Sequence, residues 1–178
     1  MELDRCMKER RSIRKYKDKA VSKEDVMKIL DAATAAPNAG NLQNWRFVVV
    51  DEETKKVDIS KACSNQNWIS TASTIIVVCS DIRDLKRHFG EDGEEYSSQN
   101  CSAAVQNILL TSHELGLGTC WIGGFDKEKI TGILKIPDKE YLKIEAVISL
   151  GYSDEDGEVP EKYDMRRIVY FNEWSTIR

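Results

Sequence analysis

The chain has few of the residues that enzymes commonly use for metal binding or nucleophilic catalysis. Only two of its 178 residues are histidines, His88 and His113, and neither has neighbours at metal-ligand spacing. His113 falls near a predicted helix C-terminus, where the helix dipole or packing accounts for it better than catalysis. The sequence contains neither a Gly-x-Ser-x-Gly elbow nor a Gly-x-x-x-x-Gly-Lys-Ser/Thr loop. The residues alone therefore indicate no metal site and no side-chain nucleophile.

Cysteines and apolar runs are not arranged as in secreted or membrane proteins. The five cysteines are odd in number and no two have Cys-x-x-Cys spacing, which argues against a disulfide framework or a zinc site. We expect them to be reduced, mostly buried, small hydrophobic residues. No apolar run approaches the length of a membrane span, and residues 1–14 are charged throughout instead of forming a signal-peptide core. These features predict a cytoplasmic protein.

Neither sign of charge is in large excess. The chain has 26 basic and 30 acidic residues, and its net charge of −4 provides no global attraction to nucleic acid. Any anion-binding site must therefore be local. The length, with 41% apolar and 31% charged residues, predicts one folded domain that covers residues 1–178.

Hydrophobic periodicity and turn signals predict an α+β fold in which helices and strands alternate irregularly around a buried central helix. The predicted helices cover residues 2–10, 22–36, 52–63, 96–115 and 126–134. The predicted strands cover residues 46–50, 74–79, 119–125 and 141–152, with an extended segment at 166–174. Residues 81–95 are highly charged and are predicted to be a mobile surface loop with some helix. Ser22 and Asp126 are expected to cap the helices that follow them.

Three arginines fall within five residues in the stretch RRSIR, residues 10–14. Arg10 and Arg14 are four residues apart and share a face if this turn is helical. Arg11 and Ser12 face differently but lie near a helix end, where free backbone N–H groups occur. Guanidinium groups, a hydroxyl and backbone donors together match a phosphate group. The alternative is a solvated basic turn that pairs with neighbouring acidic side chains.

The stretch APNAGNLQNW, residues 36–45, crowds amide side chains between a helix stop and a buried strand. Loops held by rigid elements often carry binding residues, and amides can recognise the edge of a heterocycle. Turn chemistry alone explains the same residues equally well. Trp45 is predicted to be a core residue and not a ligand platform.

Glycines dominate the stretch GLGTCWIGGFD, residues 116–126. Its Gly-x-Gly ends a helix and opens a strand, which is the reverse of a dinucleotide-binding loop, so Gly116 or Gly118 is better explained as a left-handed helix cap. Gly123 and Gly124 end a strand, where the missing side chains let a flat ligand reach the backbone. A site for a phosphate and a flat ring, with no evident acid, base or metal, indicates that a cofactor carries the chemistry.

Three of these segments, in this order and spacing, resemble the flavin-dependent nitroreductase family. RRSIRKY is similar to the family's Arg-Arg-Ser-Ile-Arg-x-Phe, APNAGNLQNWRFVVV to its Ala-Pro-Ser-x-x-Asn-x-Gln-Pro-Trp, and GLGTCWIGGFD to its Gly-Leu-Gly-x-x-Trp-Ile-Gly. The end IVYFNEW fits the family's tail. The resemblance implies a nitroreductase-like α/β/α sandwich with a central mixed, mainly antiparallel sheet and a long buried helix. It also implies an intertwined homodimer with FMN at the subunit interfaces.

The resemblance implies an FMN-dependent oxidoreductase that uses NAD(P)H to reduce nitroaromatic, quinone or similar acceptors by a ping-pong two-electron mechanism. FMN would be bound, NAD(P)H would be the electron donor, and no catalytic side chain or metal would be required. One alternative is a flavin-binding protein without turnover, which serves as a sensor or carrier. Another is a non-flavin module whose arginine turn docks an acidic partner or nucleotide.

The resemblance also implies which residues bind FMN. Those from the same subunit would be Arg10, Arg11, Ser12, Arg14, Asn65, Gly123, Gly124 and Lys162. Those from the partner subunit, packed over the ring, would be Pro37, Asn38, Ala39 and Asn41. The residues at 10–12 would hold the phosphate and ribityl chain, Arg14 and Asn65 would face the pyrimidine edge, and the two glycines would lie near the flavin N5. Lys162 would be a further phosphate contact, with Arg166 as its substitute.

The chain departs from the family's motifs at several places, one of them the tail, which reads Lys162-Tyr163-Asp164 where an arginine followed by Lys-Pro is expected. Asn44 stands where the family's Gln-Pro-Trp has proline, which removes the constraint that the proline ring places on the loop. Asn38 and Ala39 replace the common serines, which alters hydrogen bonds to the flavin. Residues 81–95 stand in place of a longer helical lid over the substrate, so the acceptor is the least predictable feature.

Overall fold

The computed structural model describes residues 2–137 and 139–174 of the chain; residues 1, 138 and 175–178, which the domain prediction includes, lie outside this part. The helices are α1 (Leu3–Glu9), α2 (Lys23–Thr34), α3 (Glu53–Ala62), α4 (Arg83–Phe89), α5 (Gly93–Glu114) and α6 (Lys127–Leu134). The strands are β1 (Trp45–Val50), β2 (Thr74–Asp81), β3 (Gly118–Ile122) and β4 (Leu142–Gly151). Short 3₁₀ turns lie at Ala39–Asn41, Asn67–Thr71, Gly90–Asp92 and Met165–Arg167.

The four strands form one sheet in the order β1-β2-β4-β3, and every neighbouring pair of strands is antiparallel. Ser80 of β2 pairs with Lys143 at one end of β4, and Thr74 pairs with Leu150 at the other. The one parallel pairing among the described residues is an isolated bridge between Ser12 and Thr119. The mixed character expected of the sheet is therefore confined to this edge, where the N-terminal segment runs beside β3.

Helices cover both faces of the sheet. Successive residues of a strand point to opposite faces, and Ile76 and Val78 of β2 pack in one core with residues of α2 and α5. Ile75 and Val77 pack in a second core with residues of α3 and α6. Because β2 is buried on both faces, its sequence is a continuous apolar run. This arrangement is the predicted α/β/α sandwich with its long buried helix, α5.

The helix predicted within residues 81–95 is confirmed, but the predicted surface loop is wrong, because the segment forms α4, a 3₁₀ turn and the start of α5. Leu85 of α4 is fully buried. The carboxylate of Glu94, in the first turn of α5, forms ion pairs with Lys143 Nζ at 2.5 Å and with Lys86 Nζ at 2.6 Å. The charges of this segment pair with one another and with β4, which allows it to pack as helix.

The predicted local stop and start signals are mostly confirmed. The Ser22 hydroxyl accepts a hydrogen bond from Asp25 N at 3.0 Å, and the Asp126 carboxylate accepts one from Lys129 N at 3.0 Å. Gly116 follows α5 with φ of 75°, the left-handed conformation expected of a helix cap, whereas Gly118 opens β3. All five cysteines are free and buried, as predicted.

The tail does not contain the extended segment predicted at 166–174. Residues 165–167 form a 3₁₀ turn, and residues 171–173 form a bend. The Asp164 carboxylate stabilises the turn by accepting a hydrogen bond from Arg166 N at 2.9 Å. Among the described helices, none is both long and apolar enough to cross a membrane.

Candidate functional site

The stretch at residues 10–16, here called the basic turn, lies along the free edge of β3. Ile13 N donates a hydrogen bond to Thr119 O at 2.9 Å, next to the parallel bridge between Ser12 and Thr119. Ile13 and Tyr16 are buried against Ala72. The basic turn is therefore anchored to the sheet by the side chains of Ile13 and Tyr16.

Tyr16 fixes the far end of the basic turn from inside the protein. Its hydroxyl donates to Ile13 O at 2.7 Å and shares a hydrogen bond with the Ser149 hydroxyl at 2.7 Å. Burial raises the pKa of the Tyr16 hydroxyl, so it stays neutral and keeps its proton for these contacts. The backbone that carries the arginines is thus tied to β4 as well as to β3.

The basic turn is extended and not helical. Helix α1 ends at Glu9, and Arg10 already has a ψ of 130°. Side chains alternate along an extended backbone, so Arg10, Ser12 and Arg14 share one face. The helical turn on which Arg10 and Arg14 were expected to share a face is absent, and the extended backbone puts them on one face with a period of two residues. Ser12 joins this face and Arg11 points to the other.

Arg10 and Arg14 are available to a ligand, whereas Arg11 is partly engaged. Within residues 2–137 and 139–174 no hydrogen bond or ion pair holds the side chain of Arg10 or Arg14. The Arg11 guanidinium turns back to the end of α1, where it donates to Lys8 O at 2.6 Å and Arg10 O at 2.9 Å. Its Nε is buried and lacks a hydrogen-bond partner in the same part of the chain.

The acids nearest in sequence do not neutralise the basic turn. Asp4 pairs with Lys8 and Glu9 pairs with Arg5, at 2.8 Å in each case. These contacts follow the usual four-residue spacing of a helix surface. The alternative was a turn paired with Asp4, Glu9 or Asp18, and within the described part of the chain none of these acids forms an ion pair with its arginines.

Cys120, in the middle of β3, shows where the face of Arg10, Ser12 and Arg14 converges. Burial raises the pKa of the Cys120 thiol, while Arg14, the Ser12 hydroxyl and Arg10 act in the opposite direction. Such electrostatic influence requires proximity. This agrees with the bridge from Ser12 to Thr119, which places the basic turn beside β3.

The glycine turn and Asn65 lie on the α3 side of the sheet. Gly123 and Gly124 follow β3 directly, and apart from their own chain neighbours no heavy atom of the described residues lies within 4 Å of the position a Cβ atom would take at either one. Asp126 N donates to Ala62 O at 2.8 Å, which joins the glycine turn to the end of α3. Asn65 follows α3 with φ of 56° and is exposed. These residues leave open space beside the end of β3.

Residues 38–43, here called the amide loop, lie at the opposite end of the sheet from the basic turn. The loop leads into Trp45, which pairs with Ser80, and Ser80 pairs with Lys143 of β4. The basic turn instead bridges to Thr119, which pairs with Leu150 of β4. Seven residues of strand separate the two ends, about 23 Å at a rise of about 3.3 Å per residue. One protomer therefore does not bring Pro37, Asn38, Ala39 or Asn41 to the basic turn.

The amide loop is held in a defined shape despite the missing proline. Gly40, Asn41 and Gln43 have φ values of 60°, 53° and 45°. The Asn38 carbonyl oxygen Oδ1 accepts a hydrogen bond from Gln43 N at 2.9 Å. The Asn44 side chain is buried and hydrogen-bonded, and Trp45 is a core residue, as predicted.

Sequence reasoning missed the partners of Asn44, which are Ser97 and Asn100 on α5. Both are buried polar residues on a helix whose other buried positions are mainly apolar. Their three-residue spacing places them on one face of the helix, and that pattern was the available signal.

The two tail residues considered for a phosphate contact, Lys162 and Arg166, differ in whether their side chains already have a partner. Arg166 forms an ion pair with Asp164, with Nη2 2.5 Å from Oδ2 and Nε 3.1 Å from both carboxylate oxygens. Lys162 is exposed, and no contact within the described residues holds its side chain. Among the described residues, neither side chain forms a hydrogen bond or an ion pair with the basic turn.

Comparison with known proteins gives consistent matches. The model of the Nitroreductase family matches residues 7–74 and 60–152. The chain is 37% identical over 169 residues to a protein of Archaeoglobus fulgidus named "Putative NADH dehydrogenase/NAD(P)H nitroreductase", covering 91% of this chain and 93% of that protein. It is also 28% identical over 142 residues to the FMN reductase (NADPH) of Bacillus subtilis, covering 72% of this chain and 57% of that protein.

Solved structures share the fold. The NADPH:FMN oxidoreductase from Vibrio harveyi, complexed with NAD+, superposes with a TM-score of 0.89 at 22% sequence identity, covering 99% of this chain and 79% of that one. At this identity the likeness concerns the fold alone. It extends over the basic turn, the amide loop and the glycine turn.

Proposed function

The chain belongs to the nitroreductase family, and from that premise we propose that it is an FMN-dependent oxidoreductase that uses NAD(P)H to reduce nitroaromatic, quinone or similar acceptors. The observation that carries the proposal is the common face of Arg10, Ser12 and Arg14, two cations without partners in the described residues beside a hydroxyl. The proposal includes a single FMN-binding domain over residues 1–178 and a cytoplasmic location.

The residues present fit FMN. Arg10 and Arg14 offer charged donors on one face, and the buried Arg11 Nε without a partner marks unused donor capacity next to them. The open space at Gly123 and Gly124 suits a flat ring that approaches the backbone. Because the N-terminal segment runs parallel to β3 with Ser12 beside Thr119, Arg10 lies toward the start of that strand and Arg14 toward the glycine turn. A phosphate near Arg10 and a ring near Gly123 would match the two parts of the cofactor.

When bound, FMN supplies two-electron chemistry, with NAD(P)H as donor and a second substrate as acceptor in a ping-pong cycle. In our proposal Arg10, Arg11 and Ser12 bind the phosphate and ribityl chain. Arg14 and Asn65 bind the pyrimidine edge, where the cation stabilises negative charge. Gly123 and Gly124 present backbone groups to the ring. Lys162, whose side chain has no partner in the described tail, is the tail residue that we assign to the phosphate over Arg166.

We further propose a homodimer in which the amide loop of each subunit covers the cofactor of the other. The separation of the amide loop from the basic turn supports this, because Pro37, Asn38, Ala39 and Asn41 can reach a basic turn only on a second copy. Strand β1 has β2 as its one neighbour among the described strands, which leaves its other edge free to pair.

The test is an absorbance spectrum of the purified protein with added FMN, followed by anaerobic titration with NADH and with NADPH. We expect stable flavin absorbance that bleaches with at least one nicotinamide and recovers on addition of a quinone or a nitroaromatic compound. Bound flavin that neither nicotinamide reduces would indicate a sensor or carrier. A protein that takes up no FMN would overturn the proposal.

A further inference from the structure

A buried chain of side-chain hydrogen bonds connects the amide loop to strand β4. Asn100 Oδ1 accepts from Ala39 N at 2.9 Å, and Asn100 Nδ2 donates to Asn44 Oδ1 at 2.8 Å. Asn44 Nδ2 donates to the Ser97 hydroxyl at 2.8 Å, and Ser97 donates to the Glu145 carboxylate at 3.3 Å. We name Asn44, Ser97, Asn100 and Glu145 the amide relay.

The middle of the amide relay is sealed from water. Ser97 is fully buried, and Asn44 and Asn100 are 3% and 4% exposed. A buried polar group that loses its partner pays the full cost of desolvation, because no water replaces the lost bond. Each link therefore favours one arrangement of its neighbours strongly.

The donor and acceptor roles in the amide relay run in one direction. An ionised carboxylate only accepts hydrogen bonds, so Glu145 requires Ser97 to donate its proton. The Ser97 oxygen is then left to accept from Asn44 Nδ2. This choice orients both amides so that Asn100 Oδ1 faces the Ala39 N–H. Ser80 and Ser98 also donate to Glu145, at 2.6 Å and 3.0 Å, which keeps the carboxylate in place.

The amide loop needs such an anchor. Two of its non-glycine residues, Asn41 and Gln43, are in the left-handed region with φ of 53° and 45°. This conformation is unfavourable for residues other than glycine. The loop's own bonds, such as that from Gln43 N to Asn38, connect it to itself. The contact from Ala39 N to Asn100 ties it to the long helix α5.

We infer that the amide relay holds the amide loop in the shape that covers the cofactor of the neighbouring subunit. Asn44, Ser97 and Asn100 are then positioning residues for a site that they do not touch. This inference rests on the proposed function for the ligand, but the anchoring of the loop is independent of it. The family's motif has a proline at this position, whose ring constrains the loop. In this chain the hydrogen bonds of Asn44 to Ser97 and Asn100 provide a constraint instead.

The first experiment compares Asn100→Ala with a matched control, Asn107→Ala, in the protein without cofactor. Asn107 lies on the same helix, and its Nδ2 donates a hydrogen bond to Ala32 O at 2.9 Å, but that bond connects α5 to α2 and not to the amide loop. Hydrogen exchange at the Ala39 amide should be about ten times faster in Asn100→Ala, as expected from the loss of one buried hydrogen bond. It should be unchanged in Asn107→Ala. Equal exchange rates in the two variants would overturn the anchoring.

The second experiment measures FMN affinity by titration of flavin fluorescence. Asn100→Ala should raise the dissociation constant about tenfold and Asn107→Ala less than about twofold. Equal losses of affinity would overturn the positioning role, because stability alone would explain them. If the unaltered protein binds no FMN, the proposed function and the ligand part of this inference both fail, and the exchange result alone decides the anchoring.

A third variant keeps the test available if Asn100→Ala does not fold. Asn44→Ala leaves the bond from Ala39 N to Asn100 intact but removes the partner that orients the Asn100 amide. We expect faster exchange at Ala39 and weaker FMN binding, each by less than in Asn100→Ala. In the double variant the two effects should be less than additive, since both act through one chain of contacts. Full additivity would show that Asn44 and Asn100 act separately.

Discussion

The carboxylate of Glu155 accepts a hydrogen bond from the backbone N–H of Arg14 at 2.5 Å and a second from that of Lys15 at 3.2 Å. Its neighbour Asp154 adds a backbone bond to Lys15 O at 2.9 Å and an ion pair with Lys15 Nζ at 3.3 Å. The acidic segment after β4 therefore fixes the backbone of the basic turn and leaves the Arg14 guanidinium free for a ligand.

Glu155→Ala should destabilise the protein through these two bonds. A carboxylate that accepts from backbone N–H groups contributes more than a neutral acceptor, and we expect a loss of about 1 kcal/mol in the free energy of unfolding. The measurement is urea unfolding of the protein without cofactor. Glu158→Ala is the control, because Glu158 is an exposed acid of the same segment whose side chain makes no contact among the described residues. Equal losses in both variants would indicate that net charge, and not the pair of bonds, is responsible.

The double variant Arg10→Ala/Arg14→Ala should lose FMN binding. Charge-assisted hydrogen bonds to a ligand contribute about 1.5–3 kcal/mol each, so the loss of two should raise the dissociation constant at least a hundredfold. Arg5→Ala is the matched control, because Arg5 is an exposed arginine of α1 that pairs with Glu9. Titration with FMN measures the effect. Unchanged affinity in the double variant would place the phosphate elsewhere.

Sequence reasoning succeeded where the signal was local. The caps at Ser22 and Asp126 depend on residues only three positions away. The continuous apolar run of β2 is by itself enough to predict that the strand is buried on both faces. It failed at residues 81–95, because the ion pair of Glu94 with Lys143 joins residues 49 positions apart. High local charge looked like solvent exposure until that partner was known.

The same limit applied to the candidate site. The motif at residues 10–14 was recognised, but the four-residue spacing of Arg10 and Arg14 suggested a helical turn. The bridge from Ser12 to Thr119 makes the segment extended instead, which adds Ser12 to the face of Arg10 and Arg14 and turns Arg11 away. Asn44 was read as a lost constraint because its partner Asn100 lies 56 residues further along the chain.

Apolar side chains of the tail should mediate the proposed dimer. Ile168 is 55% exposed and Phe171 84% exposed in the protomer, and apolar residues gathered on one exposed segment mark an interaction surface. The double variant Ile168→Asp/Phe171→Asp should shift the protein toward a monomer of 20.3 kDa in sedimentation velocity. Val57→Asp, at an exposed valine of α3, is the control and should leave the assembly unchanged. A wild-type monomer would contradict the dimer itself.

Glu94 should make part of the stability depend on pH in the acid range. The Lys143 and Lys86 ammonium groups beside it lower the pKa of its carboxyl to about 2. Because the folded pKa lies below the unfolded value of about 4.3, ionised Glu94 stabilises the fold above about pH 5, and this contribution disappears as the pH falls toward 2. Glu94→Gln should therefore lower the urea midpoint at pH 7 and approach the wild-type midpoint near pH 2–3.

The control is Glu95→Gln. The Glu95 carboxylate accepts a hydrogen bond from Gln99 and not from a cation, so this variant should show no such convergence. A deficit in Glu94→Gln that stayed constant from pH 7 to pH 3 would mean that packing at the start of α5, and not the charge pairing, sets its contribution.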